Sequence, residues 1–173
     1  MRETGRVSAI RSALETAAGH LAENPDEATG LDTPATAILF DGLRCRVEGP
    51  FGELTTDMAA SLGGGASGPS PGWLMRAALA SCDATIVAME AARAGIELTK
   101  LAVTVVSESD NRGVLGVGDA PPGPLSVRVR IELDASNASE DELRDLVHHA
   151  ESRSAVADAV ARAVPVTTEI VTS

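Results

Sequence analysis

The chain has 173 residues and a formal charge of −11, with 25 Asp and Glu against 14 Lys and Arg. That length fits one compact domain that needs no disulfide framework, and the acidic excess repels phosphate backbones, which argues against a nucleic-acid partner. Aromatic residues are limited to Phe40, Phe51 and Trp73, too few for base stacking, so the core is expected to be aliphatic.

The opening residues, MRETGRVSAIRSALE, carry charges where a secretory signal needs an apolar run. The two cysteines, Cys45 and Cys82, have no C-x-x-C spacing. Each apolar stretch is broken by Arg, Glu or Asp before it reaches membrane-spanning length. These features predict a soluble protein of the reducing cytoplasm, with no membrane partner.

Val7, Ile10, Leu14, Ala17 and Leu21 recur at three- and four-residue steps, which predicts an amphipathic helix over residues 5–22. ENPDEATGLDTP is acidic and turn-rich, and reads as a linker. Residues 1–34 are therefore expected to form an N-terminal helix and linker ahead of a main domain, 35–173. That domain opens with two alternating runs joined at Asp41-Gly42 and a third after Gly49–Gly52, a three-strand meander. Cys45 shares a face with Leu43 and Val47 and reads as a small buried hydrophobe, whereas Arg44 and Arg46 point to the opposite face.

SLGGGASGPSPG is a glycine-rich stretch without a following Lys, read as a flexible connection rather than a phosphate loop. Ser70 as N-cap and Pro71 at the first helical position start a helix, Pro71 to Ala94, that Gly95 stops. Its expected buried seam runs Leu74, Ala78, Cys82, Thr85 and Met89, with Arg76, Asp83 and Glu90 as the polar exceptions on a nearly all-apolar surface. Strands follow at LAVTVVS and LSVRVRIEL, the second with Leu125, Val127, Val129, Ile131 and Leu133 inward, and a long Gly- and Pro-rich loop lies between them. Ser139 and Glu142 form a capping box for a helix through His148. SAVADAVARAV adds a second helical piece and VPVTTEIV a last strand, so the fold class is α+β. His148 and His149 are neighbours that diverge by about 100° on a helix, and His20 is remote in sequence. Neither a metal nor a cofactor is expected.

The run LGGGASGPSPGWLMRAALASCDATIVAMEAARAGIELTKLAVTV, with HHAESRSAVADAV further on, resembles the OsmC/Ohr family. Its features are a Gly-Gly loop, a Ser-Pro helix start, an Ala-Leu-x-x-Cys helix, a Gly and a strand. The resemblance spans roughly residues 35–173. It implies a two-layer α+β fold with an N-terminal meander, a long buried central helix, and an interlocked homodimer with active sites at the subunit interface. It also implies reduction of organic hydroperoxides by a peroxidatic Cys on the central helix, a resolving Cys later in the chain, an Arg from the N-terminal strands and, in Ohr-like members, a Glu just before the helix. Cys82 matches the peroxidatic position, and Arg44 or Arg46 is the candidate Arg.

Two parts of that apparatus are missing. Where the family carries Cys-Pro-Val, this chain has Ser154-Ala155-Val156, so the resolving thiol is lost; where Ohr-like members carry Asn-Pro-Glu, it has Ser70-Pro71-Gly72. Peroxide attack needs a thiolate, of which an ordinary Cys holds only about a few per cent at neutral pH. Cys82 lies roughly 16 Å along its helix, beyond the reach of the helix dipole. An Arg is then the activator, with Arg76 and Arg153 as outlying candidates. Turnover requires either Cys45 as a substitute resolving thiol or an external thiol reductant. Two functions remain open: an impaired or one-Cys hydroperoxide reductase, and a non-catalytic homodimer of the same fold that binds a small apolar ligand.

Overall fold

The computed structural model describes residues 2–172. In chain order it contains helix α1 (Arg2–Glu23), a 3-10 turn (Pro25–Glu27), strands β1 (Thr36–Asp41), β2 (Arg44–Gly49) and β3 (Gly52–Thr56), and a second 3-10 turn (Ala60–Leu62). Helix α2 (Pro71–Ala94), strand β4 (Leu98–Ser109), the one-turn helix α3 (Asn111–Val114), strand β5 (Pro124–Ala135) and helices α4 (Glu140–Glu151) and α5 (Ala155–Ala161) follow. One sheet has the order β1-β2-β3 and a second pairs β4 with β5, so helices and sheets mix as the α+β reading requires. The described residues divide into two compact units. One holds the chain up to Arg11, Leu79–Val105 and everything from Ser126; the other holds Ser12–Ala78 and Val106–Leu125.

In the first unit the core is aliphatic. Val87 and Ala91 of α2 pack with Leu143, Leu146 and Ala150 of α4, and Leu98, Leu101, Ile131 and Leu133 of the β4–β5 pair close against them. Helix α4 starts where the expected capping box forms: the Glu142 N–H donates to Ser139 Oγ and the Ser139 N–H to the Glu142 carboxylate, at 3.4 and 2.8 Å. Helix α2 ends at Gly95, which adopts φ +73°, a conformation open to residues without a Cβ. Asn137 then donates to the Gly95 carbonyl and accepts from the Glu97 N–H, each at 2.8 Å. Arg11 Nε donates to the Ala92 carbonyl at 2.8 Å, tying α1 to the same corner.

Along β5 the alternation holds for Val127, Val129, Ile131 and Leu133, all half-buried, but Leu125 is exposed. The helical cover lies over Ile131 and Leu133, toward the other end of the strand. The expected last strand is absent: residues 163–172 form no regular structure, and Val166, Ile170 and Val171 are exposed. An alternating pattern supplies a face but not a ladder, and no described strand edge pairs with this segment.

In the second unit the expected three-strand meander forms, with Leu39 opposite Cys45 and Cys45 opposite Thr56. Gly42 turns the first hairpin at φ +57° and Gly52 the second at φ +127°. The glycine-rich stretch that follows is not a flexible connection. It is wrapped around the carboxylate of Asp57, which is 2% exposed. Asp57 accepts the N–H groups of Met58, Gly65 and Ser67 at 2.7, 3.1 and 2.9 Å and the Ser67 hydroxyl at 2.8 Å. The Ser67 N–H and hydroxyl lead these donors in holding the Asp57 carboxyl below the usual carboxylate range, against the upward pull of burial. A Cβ at Gly64 would sit 2.1 Å from the Met58 carbonyl oxygen, which explains a glycine at the closest approach. The loop thus cradles an anion, and the anion is the chain's own. The long loop before β5 carries one surprise, the helix α3, whose first turn is capped by Asp110 accepting from the Arg112 N–H at 3.0 Å.

Candidate functional site

Helix α2 is the element that positions chemistry, and its buried stripe lies one residue over from the expected seam. Leu79, Asp83, Val87, Glu90 and Ala91 are buried; Ala78 and Thr85 are exposed, and Cys82 is half-buried. The charged exceptions are therefore inside. Burying a carboxylate costs several kcal/mol unless partners replace its water, and both have them. Glu90 meets Arg93 at 3.3 Å, His149 at 3.4 Å and Arg153 at 3.4 Å. Asp83 accepts the Ser154 hydroxyl at 2.5 Å.

Ser154 is 2% exposed and joins three groups at one oxygen. As N-cap of α5 its Oγ accepts the Ala157 N–H at 3.3 Å. The same Oγ lies 2.5 Å from Asp83 Oδ1 and 3.4 Å from Cys82 Sγ. A hydroxyl has a single hydrogen and two lone pairs. The oxygen accepts the Ala157 N–H, and its one hydrogen goes to the short contact with the carboxylate, for which the longer contact to Cys82 Sγ competes. Cys82, Asp83 and Ser154 form one hydrogen-bonded group, fixed by the start of α5 on one side and the stripe of α2 on the other.

Each of the remaining candidates has contacts of its own. Arg44, on β2, donates to Asp41 at 3.2 Å and stacks 4.9 Å from the Phe40 ring centre, while its buried Nε has no hydrogen-bond partner among the described residues. Arg46 Nε is bound to Glu48 at 2.5 Å. Arg153 serves Glu90, and Arg76 donates to Ser107 Oγ at 3.0 Å. Cys45 and Cys82 are both free thiols. His148 contacts Glu151 and His20 contacts Glu27, each as an exposed pair.

Asp83 was missed as a site residue because a charge beside an apolar stripe reads as a solvent-facing exception. The usable signal is spacing: Asp83 and Glu90 stand seven residues apart, two turns, in phase with Leu79 and Val87.

Among solved structures, the chain is similar to an OsmC-like protein from Mycoplasma pneumoniae, with 18% identity, a TM-score of 0.65, and 78% of this chain and 91% of that one covered. It is also similar to an organic hydroperoxide resistance protein OsmC from Legionella pneumophila, with 21% identity, a TM-score of 0.56 and coverage of 76% and 90%. A third similar structure is the organic hydroperoxide resistance protein OhrB of Bacillus subtilis, with 18% identity, a TM-score of 0.51 and coverage of 75% and 90%. These similarities show the fold. No curated protein sequence matches the chain. Residues 63–169, which include Cys82, Asp83 and Ser154, match the family described as OsmC-like protein, and the chain belongs to that family.

Proposed function

We propose that this protein is a thiol-dependent redox protein that reduces organic hydroperoxides through Cys82 in a one-cysteine cycle. The observation that carries the reading is the 3.4 Å contact between Cys82 Sγ and Ser154 Oγ, which supports taking Ser154 as the replacement of a resolving thiol. Structural neighbours named as organic hydroperoxide resistance proteins support the reaction class. In the first step the Cys82 thiolate attacks the terminal, hydrogen-bearing oxygen of the hydroperoxide. An S–O bond forms as the O–O bond breaks, and the departing alkoxide takes up through solvent the proton that the thiol released on ionising, leaving as the alcohol. Cys82 is oxidised by two electrons to the sulfenic acid. Ser154 cannot close a disulfide, so an external thiol condenses with the sulfenic acid, releasing water, and a second thiol frees Cys82 as the disulfide of the reductant leaves.

Arg44 is the preferred guanidinium, because its Nε is unsatisfied whereas that of Arg46 is taken by Glu48. The working assembly is a homodimer, supported by β1, where every residue is exposed, including Ile38, Leu39 and Phe40. The cytoplasm, with its pool of small thiols, suits the cycle.

A second reading, a non-catalytic dimer that binds a small apolar ligand, is favoured by the Asp83 carboxylate, one hydroxyl away from the sulfur. Cumene hydroperoxide consumption with excess dithiothreitol separates the two. Wild type should exceed Cys82→Ser by at least about tenfold, and equal rates would leave the binding scaffold.

A further inference from the structure

The unit that contains the meander has a cavity of about 400 Å³ against the first turns of α2. Its apolar wall includes Leu62, Met75 and Val114, and its polar end is Arg76 with Ser107. Arg76 is half-buried and donates to Ser107 Oγ at 3.0 Å, yet it pairs with no carboxylate among the described residues. The one carboxylate on the cavity wall, Asp110, is already held by the Arg112 guanidinium and backbone N–H, with the Arg112 Nε 3.0 Å from both carboxylate oxygens. The guanidinium of Arg76 also leans toward the start of its own helix. A side chain at Gly72 would begin 4.0 Å from Arg76 Nη1 and meet nothing else within that distance. A cation is thus placed beside the positive end of a helix dipole, with an apolar chamber in front of it and no counter-charge.

We propose that this cavity binds a small organic acid with an apolar body, its carboxylate on the Arg76 guanidinium and Ser107 hydroxyl and its body against Met75, Leu62 and Val114. A guanidinium takes a carboxylate through two parallel hydrogen bonds, which accounts for the charge the protein leaves uncompensated. The volume suits a molecule of about eight to twelve heavy atoms within the range of small-ligand pockets. The site uses neither Cys82 nor Ser154, so it stands or falls independently of hydroperoxide chemistry.

Gly72 supplies an internal control. Glutamate there would form an i,i+4 pair with Arg76 at a helix N-terminus, a favourable place for a negative charge, and would fill the position of the ligand carboxylate. The test titrates the full-length protein with octanoate and with uncharged octanamide, followed by amide chemical shifts. Octanoate should saturate at millimolar concentration and shift the amides of Gly72, Trp73 and Ser107, while octanamide should bind at least about tenfold more weakly. Arg76→Met and Gly72→Glu should each weaken octanoate at least about tenfold with an unchanged circular-dichroism spectrum, and Cys82→Ser should bind like wild type. Absence of saturable octanoate binding, equal affinity for octanamide, or wild-type affinity in folded Arg76→Met or Gly72→Glu overturns the proposal.

Discussion

Replacing Ser154 by Cys places a second sulfur at a position whose oxygen already lies 3.4 Å from Cys82 Sγ. A disulfide requires about 2.05 Å between sulfurs, so just over an ångström must close, by side-chain rotation and the greater length of a C–S bond. The substitution has a cost that the helix cap alone does not capture. Ser154 caps α5, worth about 1 kcal/mol, and it also donates to the buried Asp83 carboxylate, a bond to a charged acceptor worth about 1.5–3 kcal/mol. The reduced variant should therefore be less stable by about 2.5–4 kcal/mol. Cross-linking residues 72 apart removes unfolded-chain entropy worth about 4 kcal/mol, so the oxidised variant should return close to wild type. Urea denaturation with and without reductant gives both numbers, and peptide mass mapping identifies the bond. The peroxide-treated variant should carry a disulfide between Cys82 and the introduced thiol, and consume hydroperoxide faster than wild type with a dithiol. A folded variant that forms no such linkage refutes the facing of the two positions. A reduced variant as stable as wild type refutes the role assigned to the Ser154–Asp83 bond.

Two further outcomes follow from the structure. The Asp57 carboxyl is held below the usual carboxylate range in the folded protein, so the unfolded chain binds more protons and stability is lost as pH falls below about 4. Asp57→Asn should lower the urea midpoint at pH 7, with the gap to wild type narrowing by pH 3; a gap of the same size at both pH values would refute this. Light scattering at micromolar protein should report a dimer, with mutation of Ile38 and Phe40 to Ser shifting it toward monomer; a stable wild-type monomer would remove the assembly on which the active-site reading depends.

Where a structural signal is local, the sequence carries it. The Asp41-Gly42 turn, the Ser70-Pro71 start and Gly95 stop of α2, and the Ser139–Glu142 box each act within a few residues, and each element forms where its signal lies. Burial is a different matter, because it depends on partners distant in the chain. The alternation in VPVTTEIV states which residues would share a face but not whether an edge is free to pair with them, and no strand forms there. The glycines of residues 63–65 suggest room for an anion but not that Asp57, several residues upstream, already fills it.

The same division explains why Cys82 was legible and its surroundings were not. Its place on a long apolar helix is a local fact. Its immediate chemistry is set by Ser154, 72 residues away, and by Asp83, which is burial-competent because Ser154 supplies a hydrogen. Neither residue makes sense alone: an unpaired Asp83 would carry the full desolvation cost of a buried charge, and a Ser154 that served only as a cap would need no carboxylate at its back. Together they give the Cys82 sulfur a hydroxyl for a neighbour and, one hydrogen bond further on, a carboxylate. Any oxygen added to Cys82 enters beside a hydroxyl whose single hydrogen is committed to Asp83, so the O–H of the sulfenic acid itself is the donor left to bond there.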